Sequence, residues 1–201
     1  MKTRFPNFIR YLSTIAATVL VITLTSCSSS SKIPSETNYY LLNNQQTTQT
    51  AVNISKTVAV KVLELPTYLH QPHLVMQLNK HQLHYARFDM WAEPLQVGFT
   101  KALLSDLNQN NNGIEYVTDE FQPDKQSATK VIVRVDYFHP SSASKVTLSG
   151  VFWRENIDKK IMERQAFSFE LLLNEDGYTH AIAQMRQLVS MMSESILLMS
   201  D

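Results

Sequence analysis

The chain has 201 residues with 18 basic and 18 acidic side chains, a formal net charge of zero, and 44% hydrophobic against 18% charged residues. That balance excludes general disorder and offers no basic face for nucleic acid. A single cysteine precludes an internal disulfide framework, and only four glycines leave no phosphate loop, dinucleotide fingerprint or Gly-x-Ser-x-Gly elbow.

The chain opens with Lys2, Arg4 and Arg10, followed by an apolar run over residues 11–24. A spanning helix needs roughly 20 apolar residues, so this shorter run, closed by a small-residue step, reads as a signal peptide over residues 1–26. The step Leu24-Thr25-Ser26-Cys27 resembles a bacterial lipobox, which implies cleavage before Cys27 and covalent lipid on its thiol. The alternative is an ordinary signal peptide with an incidental cysteine. Chemistry favours the lipid, because a lone thiol in an exported chain has no internal partner and acylation removes its reactivity. One myristoyl-length chain binds membranes only at ~10⁴ M⁻¹, and the modification implied by the resemblance supplies more than one chain and stable anchorage. Ser28, in place of an acidic residue after the cysteine, implies sorting to the outer membrane, facing the periplasm. No other cofactor is expected.

Without the signal, 175 residues remain with 15 basic and 18 acidic side chains, a balance of −3. Residues 27–37, with four serines at 28–31 and Pro34, read as a lipidated N-terminus and flexible tether. Residues 38–201 are long enough for one domain with a sizeable core. Within it, residues 38–42 and 58–65 are strand-like, with Val58, Val60 and Val62 in alternation. Residues 43–53, rich in Gln, Thr and Asn, read as a surface loop. Residues 74–86 form a hairpin turning at Asn79-Lys80.

Pro94 fits the first turn of a helix, and Leu95, Phe99, Leu103 and Leu107 repeat at four-residue spacing, which predicts a helix over 93–108 stopped by Asn110-Asn111-Asn112-Gly113. A strand at 114–118 follows. In the next strand, 130–138, Val131, Val133, Val135 and Tyr137 fall on one side, with Arg134 and Asp136 towards water. Residues 146–154 and 161–173 are the arms of a long hairpin, Ile161, Phe167, Phe169, Leu171 and Leu173 sharing a face. Finally Ile182, Met185, Val189, Met192, Ile196 and Met199 form one stripe of a C-terminal helix. The stripe either packs on the sheet or forms a seam with a second copy, making a homo-oligomer. The expected fold class is α+β: a mixed, mostly antiparallel sheet with two amphipathic helices on one face.

Two segments, Leu65-Pro66-Thr67-Tyr68-Leu69 with Pro72 and Leu74-Val75, and Trp91-Ala92-Glu93-Pro94-Leu95 at a helix start, resemble the PqiC-like ABC-type transport auxiliary lipoprotein family. Tyr39-Tyr40-Leu41-Leu42 belongs to the same pattern. The resemblance implies a noncatalytic accessory of an MCE-type intermembrane lipid transport system, partnered by an inner-membrane-anchored MCE protein and held in the outer membrane by its lipid. Pro66, Tyr68, Leu69, Trp91, Glu93 and Pro94 are then either scaffold or partner contacts: Pro66 ends a strand, Trp91 wedges under the helix start, and Pro94 fixes φ.

Catalytic and metal chemistry is weakly supported by the residues. His81 and His84 are three apart in the expected hairpin, where that spacing points the rings to opposite faces; His70 and His73, also three apart, sit near Pro72 in a turn, and two imidazoles without a nearby Cys or carboxylate pair make a weak metal site. Asp89 with Glu93, and Asp119 with Glu120, would have to be buried and convergent for acid–base work. The competing function is a periplasm-facing chaperone or assembly factor for outer-membrane components, which calls for an exposed apolar groove between helices and sheet.

Overall fold

The structure, a computed structural model, describes residues 36–43, 54–109, 113–120, 128–156 and 158–199. The signal segment with Leu24-Thr25-Ser26-Cys27, most of the tether and most of the loop expected at 43–53 lie outside the described residues. In chain order the elements are β1 (Asn38–Tyr40), β2 (Lys56–Val62), a 3₁₀ turn (Thr67–Leu69), β3 (His73–Asn79), β4 (Gln82–Trp91), α1 (Leu95–Gln109), β5 (Ile114–Thr118), β6 (Thr129–Ser141), β7 (Lys145–Asn156), β8 (Ile161–Leu172) and α2 (Tyr178–Leu198).

The strands form one mixed sheet whose spine is β6. On one edge it pairs antiparallel with β7 along its whole length, and β7 with β8. Its other edge is shared: the first half pairs parallel with β2, which carries β5, and its last residue, Ser141, pairs with Gln77 of β3. β3 continues through an antiparallel ladder to β4, and β4 takes the short parallel strand β1. The long antiparallel ladders carry most of the pairing, and both helices add their apolar faces to a single core with the sheet.

β6 contains a register slip. Val135 lies opposite Gly150 and Tyr137 opposite Ser149, so β6 uses one residue more than β7 at this point, a β-bulge. The slip changes which parity faces the helices: Val131, Val133 and Val135 are buried, and beyond the bulge Phe138 takes the buried position while Tyr137 is 49% exposed. The period-two reading therefore fails at Tyr137, because strict alternation does not survive an inserted residue. Gly150 is matched to this site; a Cβ there would collide with the Arg134 carbonyl oxygen.

α1 begins two residues later than the spacing predicts, at Leu95. Pro94 stands just before it, and its carbonyl accepts the N–H groups of Val97 (2.9 Å) and Gly98 (3.1 Å). Proline's missing N–H costs nothing there, and the ring disfavours the helical region for Glu93. At the far end, the Asn108 amide exchanges two 2.8 Å hydrogen bonds with the backbone of Tyr116, fixing β5 against the helix.

The α2 stripe is covered by the chain itself: Val189 and Met192 are fully buried, and Ile182, Met185 and Ile196 nearly so. It needs no second copy to shield it. Arg154 of β7 donates to the Met199 carbonyl at 2.6 Å, satisfying a terminal carbonyl and favouring the negative end of the helix dipole. The helices are joined by a forked ion pair between Asp106 and Arg186, with side chains 7% and 14% exposed. Removing one partner of such a pair strands a buried charge, so Asp106→Ala should lose about 3–5 kcal/mol in urea unfolding.

Candidate functional site

The segment between β2 and β3 fills the fork in the sheet and carries half of the family-type motif. The Leu63 N–H donates to the Val133 carbonyl at 2.8 Å, which lays the segment beside β6 where β2 ends. Gln96 of α1 clamps it from the helix side, accepting from the Leu65 N–H at 2.9 Å and donating to the carbonyls of Val62 (3.3 Å) and Leu63 (3.2 Å). Pro66, at φ −49°, starts the 3₁₀ turn, and its carbonyl accepts the Leu69 N–H at 2.8 Å.

The turn splits the motif between two faces. Leu69 is 3% exposed and Trp91 7% exposed, and with Leu95, Phe138, Ile182 and Met185 they line a cavity of about 10 Å³, room for about one water. The Trp91 N–H donates to the Pro72 carbonyl at 2.7 Å, and that of Ala92 to the Tyr40 carbonyl at 2.8 Å, tying the two motif segments and β1 together. Glu93 pairs with Lys101 at 2.5 Å. Pro94 is exposed.

Tyr68 faces the other way, on the side of the sheet without helices. Its ring meets His139 edge-on with centroids 5.7 Å apart, and Tyr137 meets the same imidazole at 5.8 Å. The Tyr85 hydroxyl donates to the Tyr68 carbonyl at 3.4 Å. Tyr85 and Tyr137 are 40% and 49% exposed, whereas His139 is 4% exposed. The Tyr68 hydroxyl is buried with no hydrogen-bond partner among the described residues. Burial, reinforced by Tyr137, Tyr85 and Asp136, pushes its pKa up to about 12. Burial also lowers the His139 pKa, opposed by the Nδ1 contact with the Pro140 carbonyl. Beside the cluster Arg134 lies 5.7 Å over the Trp153 ring and pairs with Asp136 at 3.0 Å. This is an aromatic and arginine surface, the composition of an interface centre.

Other candidate chemistry is engaged structurally. The His70 Nε2 contacts the Leu65 carbonyl, and the His73 Nδ1 the Ala86 carbonyl, both at 2.8 Å. Asp89 accepts from Asn38 (3.0 Å) and Tyr40 (2.9 Å), and Asp119 pairs with Lys130 at 2.6 Å. Among the described residues no three His, Cys, Asp or Glu converge to hold a metal, and no helix is long and apolar enough to cross a membrane. The open groove between α1 and β2, about 530 Å³, mixes Val62, Val97 and Leu104 with Lys61, Lys101 and Asp119, so its walls are not those of an apolar channel.

A family profile described as the ABC-type transport auxiliary lipoprotein component matches residues 40–197. The chain belongs to this family. It is similar in fold to a crystal structure of an uncharacterized protein, at 22% identity over 83% of this chain and 99% of that one, with a TM-score of 0.70. A Xanthomonas campestris protein of the family DUF330 is similar at 11% identity over 70% of this chain and 80% of that one, with a TM-score of 0.59. At these identities the likeness is one of fold. No curated protein matches the chain.

Tyr68→Phe separates packing from contact. Deleting an unpartnered buried hydroxyl should leave stability unchanged or raise it by up to about 1 kcal/mol; weakened capture of a partner by an equally stable variant would make the hydroxyl a contact. Titration supplies a second check. The folded-state value of His139 lies below its ordinary 6.5, so the unfolded chain takes the proton first and stability falls as pH drops from that value. Tyr68 is raised from 10.0 to about 12, so its contribution is lost as pH rises through that interval. Urea unfolding against pH should lose the acid limb in His139→Phe and the alkaline limb in Tyr68→Phe.

Proposed function

We propose that this protein is a noncatalytic lipoprotein subunit of an MCE-type intermembrane lipid transport system. Lipid on Cys27 anchors it in the outer membrane, and its periplasmic domain receives the far end of a tunnel built by an inner-membrane-anchored MCE protein. The observation that carries the reading is family membership over residues 40–197, joined to the Leu24-Thr25-Ser26-Cys27 step. The cavity under Trp91 holds only about 10 Å³, far below the volume of an acyl chain, and the larger groove between α1 and β2 is walled in part by Lys61, Lys101 and Asp119, which supports a docking subunit over a carrier. Anchoring suits docking physically: confinement to a thin layer raises effective concentration for a partner reaching across the periplasm without any new contact.

Crosslinking in intact cells followed by mass spectrometry tests the partner. Recovery of an inner-membrane-anchored MCE protein is the expected result, and recovery only of folding clients or outer-membrane proteins would move the assignment to a chaperone. Cys27→Ser should release the protein from the membrane fraction or leave it unprocessed; retention at the normal mature mass would defeat the lipoprotein assignment.

A further inference from the structure

The corner of the sheet where the described chain begins has a surface unlike that of a solvated edge. β1 is three residues long and, among the described residues, hydrogen-bonded on one side only, to β4. Tyr39 and Leu41, two apart, are 66% and 50% exposed. Tyr39 lies opposite Met90 of β4; because paired residues share a face, both point away from the face of Tyr40 and Trp91. Further along β4 the exposed Arg87 holds its guanidinium 5.1 Å over the Phe88 ring. Tyrosine, leucine, methionine and an arginine stacked on phenylalanine are the side chains that settle at a lipid–water boundary, apolar bodies inward and polar tips outward.

We infer that this corner, led by Tyr39 and Leu41, rests on the surface of the bilayer to which Cys27 is anchored. The inference depends on the lipidation proposed above. Asn38 follows Cys27 by eleven positions, a reach of at most about 36–40 Å, comparable to the width of a domain this size, about 40 Å. The strand that the tether enters is thus held within one domain width of lipid. Such tethering gives the corner an effective lipid concentration in the millimolar range, ~mM for short flexible links, so a few interfacial side chains suffice for contact.

The test uses the full acylated chain in vesicles of phosphatidylethanolamine and phosphatidylglycerol. Cys27 is the chain's only cysteine, and acylation blocks it, so Leu41→Cys offers one thiol for an environment-sensitive fluorophore. Gln187→Cys, on the exposed side of α2, is the reference position. Lipids carrying a nitroxide high on the acyl chain should quench most of the emission at position 41 and leave that at 187 nearly unchanged. Absent quenching at 41, or equal quenching at both positions, in protein that floats with the vesicles overturns the surface assignment and leaves lipidation standing. A label at 41 shielded from both the nitroxide and aqueous iodide means a second protein covers the corner, which also overturns it. Protein that fails to float overturns lipidation and the contact together.

Discussion

The register slip at Asp136 and Tyr137 decides which side chains of β6 face the helices, and β6 is the strand on which every other part of the sheet depends. Before the slip Val131, Val133 and Val135 line the core; after it Phe138 does. Were β6 to alternate strictly through this point, Tyr137 would be driven under α1, and Phe138, which meets Phe99 with centroids 5.3 Å apart, would be turned to solvent. The same inserted residue sends Tyr137 and His139 to the opposite face, where they meet Tyr68. The hydrophobic core and the exposed aromatic cluster are therefore two products of one local irregularity.

Around this spine, polar side chains fix geometry that apolar burial alone leaves loose. Gln96 holds the strand connector beneath α1, Asn108 stands in as a strand partner for Tyr116, and Asp106 with Arg186 sets how the helices cross. Hydrophobic burial is non-directional, whereas these contacts accept only one register. Gln96 holds the 63–72 connector in place, with Leu65 and Leu69 buried, while the other two fix α1 against β5 and against α2.

The features legible in the sequence were those with a regular period. The α2 stripe shows plainly in the alternation of three and four from Ile182 to Ile196, and the paired arms of β7 and β8 show in their common length around a polar turn. The helix after Trp91 was legible too, though Pro94 stands outside it as a cap. What the sequence concealed was non-local. Nothing near Asp106 announces Arg186, eighty positions away, and nothing in residues 38–40 foretells parallel pairing with the end of β4. The bulge was hidden because Tyr137 satisfies an alternating pattern as well as Phe138 does; only the Gly150 backbone approach distinguishes them. Of the motif residues, Tyr68 and Leu69 are adjacent, yet a single 3₁₀ turn sends them to opposite faces.

β1 has a mechanical consequence. Any pull delivered through the chain before residue 36 arrives first at Asn38, Tyr39 and Tyr40, which hold to β4 by three paired positions and by side-chain bonds to Asp89. Because the inter-strand bonds lie across the strand axis, a tug along that axis loads them together in shear rather than unzipping them one at a time. Past that threshold β1 would come away, while the strands of the β6–β7–β8 ladder, paired along their lengths, would feel little of the load. The short first strand is thus where a load through the N-terminus would be felt first.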